Sequence, residues 1–123
     1  PTVLSNNCDG IDLRRMLSTI NERIEYIFDR EHQIGHAYFT TCKSRADVEH
    51  VMRFKIIPLL AEYFYEDWSK VAAVLGDGRD GGKANFIEAA ALNPPVGFFD
   101  DELGTVKWRW RVKPEFDFSE FQA

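Results

Sequence analysis

The stretch Leu13-Arg14-Arg15-Met16-Leu17-Ser18-Thr19-Ile20-Asn21-Glu22-Arg23-Ile24-Glu25-Tyr26-Ile27-Phe28 decides the fold class. Its apolar residues, Leu13, Met16, Leu17, Ile20, Ile24, Ile27 and Phe28, recur at intervals of three and four, the spacing of one helix face. Arg14, Arg15, Glu22, Arg23 and Glu25 occupy the other face. Asp9 or Asp12 supplies the N-cap, because a short carboxylate can accept the free N–H groups of a first turn. The pattern predicts a long amphipathic helix that fades near Arg30–His32.

Downstream, Ile34-Gly35-His36-Ala37-Tyr38-Phe39 is short and bulky and reads as a buried turn or helix entry, with Tyr38 and Phe39 as core. Ser44 and Asp47 resemble a capping box and predict a helix from Arg45 to about Phe54. Pro58 lacks an N–H, so a break or kink is expected near Lys55–Ile57, with a new helix running to about Glu66. Its apolar face is Ile56, Leu59, Leu60, Tyr63 and Phe64. Asp67 can cap a last short helix through Trp68, Val71, Val74 and Leu75, which Gly76 stops.

The texture changes after Asp77. Gly76-Asp77-Gly78-Arg79-Asp80-Gly81-Gly82 reads as a flexible loop. Phe86–Leu92 and Val106–Val112 read as strands; in the second, Val106, Trp108, Trp110 and Val112 alternate with Lys107, Arg109 and Arg111. Pro114 ends it, and the apolar tail Phe116, Phe118 and Phe121 must pack somewhere. The expected fold is mainly α with a small C-terminal β element, an α+β arrangement. Residues 1–77 form the helical unit and residues 78–123 a β extension packed on it.

The bulk numbers exclude several classes. With 123 residues, 45% hydrophobic and 14% aromatic, the chain can build one core and is not a disordered segment. A net charge of −5 argues against general duplex-DNA binding, which needs clustered Lys and Arg. No apolar run reaches the roughly 20 residues of a membrane-spanning helix, so no membrane role is expected. Two cysteines, Cys8 and Cys42, read as reduced thiols of a cytoplasmic protein. The start, Pro1-Thr2-Val3, lacks a Met and reads as a cut from something longer.

Two stretches carry a family likeness. One runs from Asn21-Glu22-Arg23-Ile24-Glu25 through Asp29-Arg30-Glu31-His32 to Ile34-Gly35-His36-Ala37-Tyr38-Phe39. The other is Lys55-Ile56-Ile57-Pro58-Leu59-Leu60-Ala61-Glu62-Tyr63-Phe64-Tyr65-Glu66-Asp67, followed by Val74-Leu75-Gly76-Asp77. Together they resemble the C-terminal lid of McrB-like AAA+ proteins, motor subunits of modification-dependent restriction systems. The family's Ile-Gly-His-Ser-Tyr-Phe element appears here with Ala37 in place of Ser. The likeness covers residues 11–77 well and the β tail only loosely.

The resemblance implies a helical lid that closes over nucleotide and contacts the neighbouring subunit of a ring. It implies ATP or GTP with Mg²⁺ in the full-length protein, bound mainly by other parts. It implies as partners the AAA+ core of its own chain, neighbouring subunits and a McrC-type nuclease, with DNA reached only through other parts. By the same analogy Arg30, Gly35 and His36 are the residues at the nucleotide or subunit interface. The sequence has no Gly-x-x-x-x-Gly-Lys-Ser/Thr loop and no acidic pair ending a buried apolar strand; Asp100-Asp101 follows a Pro-Gly loop. Hydrolysis by the chain alone is therefore not expected, and no nucleotide should be bound tightly by it.

Other residues admit plainer roles. Arg14, Arg15, Arg23, Arg45 and Arg53 are further candidates for phosphate or intersubunit contacts, although helix-face arginines are mostly solvated or in weak ion pairs. His32 and His36 have a metal-compatible spacing, with Cys42 and His50 as further ligands on paper. Gln33 stands where a zincin motif needs Glu, and no metal is expected. Trp108-Arg109-Trp110-Arg111 suggests base stacking with phosphate contacts, but alternation separates the two residue types onto opposite faces. The alternative reading of the whole is a stand-alone binding or regulatory module without a nucleotide role.

Overall fold

The computed structural model describes residues 4–77, 84–97 and 107–123. Helix α1 spans Leu13–Ile27. Asp12 caps it, accepting the Arg15 N–H at 2.9 Å. Asp9, the other candidate, sits at φ 53° and instead accepts the Arg45 N–H at 3.0 Å, tying the N-terminal loop to the second helix. Leu13, Met16, Leu17, Ile20 and Ile24 are buried as the periodicity requires. The stripe weakens at Ile27, and Phe28 leaves the helical conformation and is exposed.

Helix α2 spans Arg45–Val51. Ser44 accepts the Asp47 N–H at 3.2 Å, and Asp47 reaches past the cap to the Lys43 N–H at 2.9 Å. The irregularity expected near Lys55–Ile57, a break or a kink, is present, but the helix does not break. A π-helical segment, Met52–Ile56, carries the chain without interruption into α3, Ile57–Tyr63. The physical reason is Pro58, which has no N–H and whose ring would meet the preceding carbonyls of a regular α-helix. In the wider turn the Ile57 N–H bonds the Met52 carbonyl five residues back, and Pro58 falls in the first turn of α3. Ile56, Ile57, Leu60 and Phe64 are buried, while Leu59 and Tyr63 are half-buried at the margin.

Tyr65 and Glu66 both adopt left-handed backbone, φ 51° and 63°, to reverse the chain into α4, Trp68–Leu75. Asp67 precedes α4, but its carboxylate accepts the Ser69 hydroxyl at 2.6 Å and caps no backbone N–H. Gly76, at φ 82°, ends the helix in the left-handed conformation that glycine adopts without penalty.

Strands β1, Ile87–Ala91, and β2, Trp108–Val112, pair antiparallel with Ile87 opposite Val112 and Ala91 opposite Trp108. They are shorter than expected, and Val106 and the loop residues 78–83 lie outside the described residues, as do Phe98-Phe99 and Asp100-Asp101. The alternation holds on β2: Arg109 and Arg111 are exposed and Trp108, Trp110 and Val112 half-buried. Trp110 and Val112 pack against the core. The tail completes that core. Phe116, Phe118 and Phe121 are buried, and Phe86, Phe116 and Phe118 meet edge to face at 5.3–6.2 Å between ring centres.

Asp77 joins the helical and β parts. It is 4% exposed, and its two oxygens accept the backbone N–H groups of Asn85, Phe86 and Ile87 at 2.7, 2.8 and 2.9 Å. Burial pushes its carboxyl upward, opposed by those three N–H groups and by Lys113. Among the described residues no helix is long and apolar enough to cross a membrane.

Candidate functional site

The turn after α1 is anchored before it is shaped. Asn21, on α1, donates from Nδ2 to the Ile34 carbonyl at 2.9 Å and accepts the Ile34 N–H at 2.6 Å. This two-pronged bond, with buried Ile34 and Phe39, fixes the Ile34–Phe39 element against the helix. Two short 3-10 turns flank Ile34, Arg30–His32 before it and His36–Tyr38 after it. Tyr38 is not core as expected but 38% exposed, whereas Phe39 is 1% exposed. Successive residues of a 3-10 turn step a third of a circle, so neighbouring rings cannot share one inward face.

Asp29 organises the first turn. Its carboxylate accepts the His32 N–H at 2.9 Å and faces His32 Nδ1 at 2.7 Å. Those bonds hold the Asp29 carboxyl below the usual carboxylate range. The His32 ring stacks on Phe28 at 4.3 Å and meets the edge of Tyr63 at 5.0 Å. Burial, and then Tyr38 and Glu62 nearby, push the Tyr63 hydroxyl upward. Sequence reasoning weighed His32 only as a metal ligand and missed the Asp29 pair, although a carboxylate three residues before a histidine was there to be read. Among the described residues there is no cluster of His, Cys, Asp or Glu able to hold a metal ion.

The three residues assigned to the interface by resemblance lie in this corner and are exposed. Arg30 and the His36 ring have no hydrogen-bond or ion-pair partner among the described residues. Gly35 has φ −79°, and a Cβ placed there would meet nothing within 4 Å, so nothing inside the described chain requires glycine.

The remaining arginine candidates for phosphate or intersubunit contacts all bond within the chain. Arg14 donates to the Leu4 carbonyl at 3.3 Å. Arg15 reaches the Gln122 carbonyl at 2.8 Å. Arg23 donates to the Val74 carbonyl at 3.2 Å and to Glu120 at 2.6 Å. Arg45 donates to the Phe116 carbonyl at 3.0 Å, and Arg53 to those of Lys113 and Pro114 at 3.0 and 3.1 Å. Arg45 and Arg53 also lie over the Phe118 and Phe116 rings. These side chains hold the N-terminal loop and the tail onto the helices.

Cys8 and Cys42 are free thiols, with Cys8 Sγ 3.6 Å from the Cys42 carbonyl. Burial pushes the Cys42 thiol up to about 11, which keeps it protonated and unsuited to nucleophilic work near neutral pH.

Against known families, residues 12–72 match the model described as McrB, alpha-helical lid domain. Residues 12–72 are a lid domain of the McrB family. The match takes in α1, both 3-10 turns, the whole α2–π–α3 rod and the start of α4. It stops short of Asp77 and the β hairpin, the part for which the sequence likeness was loose. No curated protein matches the chain.

Proposed function

We propose that this lid closes over the nucleotide of an AAA+ ring motor and contacts the neighbouring subunit through the Arg30–Gly35–His36 corner. The observation that carries the reading is the distribution of arginines. Each arginine of α1 and of the α2–π–α3 rod is spent on a backbone carbonyl of the chain itself, while Arg30, five residues before the open Gly35, is left exposed. A cation and a histidine on a turn anchored by Asn21 suit a site where charge changes on hydrolysis. In this reading ATP or GTP with Mg²⁺ is held mainly by the core domain of the same protein. The ring works with a McrC-type nuclease in DNA restriction.

The test is a paired measurement. Arg30→Ala and His36→Ala are placed in the motor carrying this lid, and in the 123-residue chain alone. The expected result is NTP turnover reduced at least tenfold in the motor, with the melting temperature of the chain unchanged, since neither side chain has a partner among the described residues. Normal turnover and normal ring assembly in both variants would remove the interface role.

A further inference from the structure

The hairpin has two edges, and they are not alike. At its two ends the Lys113 N–H bonds the Phe86 carbonyl and the Leu92 N–H the Lys107 carbonyl, both at 2.8 Å. With Ile87 opposite Val112, that parity turns the backbone groups of Glu88 and Ala90 toward β2 and those of Ile87, Ala89 and Ala91 away from it. Asp77 takes the outward Ile87 N–H at 2.9 Å. The outward N–H and carbonyl groups of Ala89 and Ala91 have no partner among the described residues. An edge of this kind accepts another strand, and proteins commonly guard it with charge, proline or a bulge. The β2 edge is guarded, since Lys107, Arg109 and Arg111 are exposed along it. From Ala89 to Leu92 the β1 edge has no charge, no proline and no bulge, and Leu92 at its end is 39% exposed.

We infer that the β1 edge pairs with the β1 edge of a second copy of this chain, antiparallel about a two-fold axis at Ala90, so that the two hairpins form one continuous sheet. The register follows from which groups are open. Centred on Ala90, the outward groups of Ala89 and Ala91 meet those of Ala91 and Ala89 in the second copy, and Asp77 keeps its bond to Ile87. Glu88 then lies opposite Leu92 of the second copy, so its methylenes cover an exposed apolar side chain and no like charges face each other. The same operation at the β2 edge sets arginine against arginine, which charge repulsion opposes. The contact is isologous, so it links two lids and is separate from the head-to-tail contacts that close a ring. It lies outside residues 12–72 and does not depend on the nucleotide reading.

A small interface is weak, so the association of the 123-residue chain is followed by sedimentation velocity from about 10 μM to about 1 mM. The expected result is a monomer–dimer equilibrium within that range. Ala90→Lys places two ammonium groups directly opposite each other at an exposed position, and should stay monomeric with its cooperative melt retained. Mixing it with Ala90→Glu should restore a dimer containing one copy of each. Ala90 faces its own counterpart at a non-hydrogen-bonded position, where the Cα atoms come closest. Ala90→Cys should therefore cross-link to itself in oxidised glutathione, two protein thiols becoming one disulfide as one glutathione disulfide becomes two thiols. The parent chain and Val96→Cys, which is as exposed but off the axis, should not, so the pairing stays testable if the lysine variant folds poorly. A parent chain still monomeric at the highest concentration overturns the self-pairing, including the case in which a strand of another protein fills the edge. A dimer that survives in Ala90→Lys, or one dissociated by Arg109→Glu instead, overturns it too.

Discussion

At the scale of single residues, Asp77 has the largest structural consequence. Removing its carboxylate strands three backbone N–H groups, two of them buried. Each unsatisfied buried donor costs about 1–3 kcal/mol, so Asp77→Ala should destabilise the chain by roughly 2–4 kcal/mol in denaturant unfolding. A loss below about 1 kcal/mol would mean that water replaces the side chain. Asp77 and Asp47 also predict opposite pH responses. Asp47 is held below the ordinary range, chiefly by the Lys43 N–H, so its contribution is present above the unfolded carboxylate value near 3.9 and is lost as pH falls through its lower native value. Asp77 is shifted upward, so its native state binds the proton more readily; that contribution is greatest below about 3.9 and is lost as pH rises through the native value. Thermal melts of Asp47→Asn against the parent should converge on acidification. Persistent separation at the acid end would contradict the assignment. Neither role was legible from the sequence beyond Asp47's place after Ser44. A buried carboxylate beside glycine looks like loop chemistry until the strand that folds back over it is known.

At the scale of elements, the α2–π–α3 rod shows which of two outcomes a local rule leaves open, a break or an irregularity within a continuous helix. Pro58 does disturb the helix, but the disturbance is a change of hydrogen-bond register and not a break. Proline in a regular helix interior costs about 3 kcal/mol. Here the π segment already absorbs the missing N–H, so Pro58→Ala should change stability by less than about 1 kcal/mol. A gain near 3 kcal/mol on urea titration would show that the strain persists. Gly76 makes the contrasting case. A Cβ there would lie 3.0 Å from Arg23 Nη1 and from Glu120 Oε1, on backbone at φ 82°. Gly76→Ala should therefore cost about 1–2 kcal/mol, from left-handed strain together with a loosened Arg23–Glu120 pair. No change in melting midpoint would sink that account. The helix faces and caps were readable because their periods and spacings are local. Tyr38 was misread because a bulky run in a 3-10 turn does not say which ring points inward.

For the whole molecule, the family match and the folding unit have different boundaries. The match ends at residue 72, yet Phe86, Phe116, Phe118 and Phe121 sit in the same buried cluster as Met16, Ile20 and Leu60. Burial of one large side chain is worth about 1.5–3 kcal/mol, and total domain stability is only about 5–15 kcal/mol. A truncation after Val112 removes three buried phenylalanines and should lose the cooperative melt, while residues 4–123 keep it. A sharp two-state transition in the truncated chain would show that the tail is an accessory. The composition of the tail announced that it must pack. Its path could not be read, because the arginines that fix it lie about 60 to 107 residues away in sequence and leave no local pattern.

Those arginines grip the tail mostly by carbonyl oxygens, at Lys113, Pro114, Phe116 and Gln122. A carbonyl is the same whatever side chain follows it. The route of the tail is thus written on the helices, in Arg15, Arg45 and Arg53, and not in the tail residues they hold. Drift at positions 114 and 122 should pass with little effect. Lysine in place of Arg53 should not, because one ammonium cannot span two neighbouring carbonyls as a guanidinium fork does. A saturation library of the chain, selected for folding, should then show tolerance and intolerance in unequal partners of the same bonds: permissive columns in the tail being held, and near-invariant arginines in the helices that hold it.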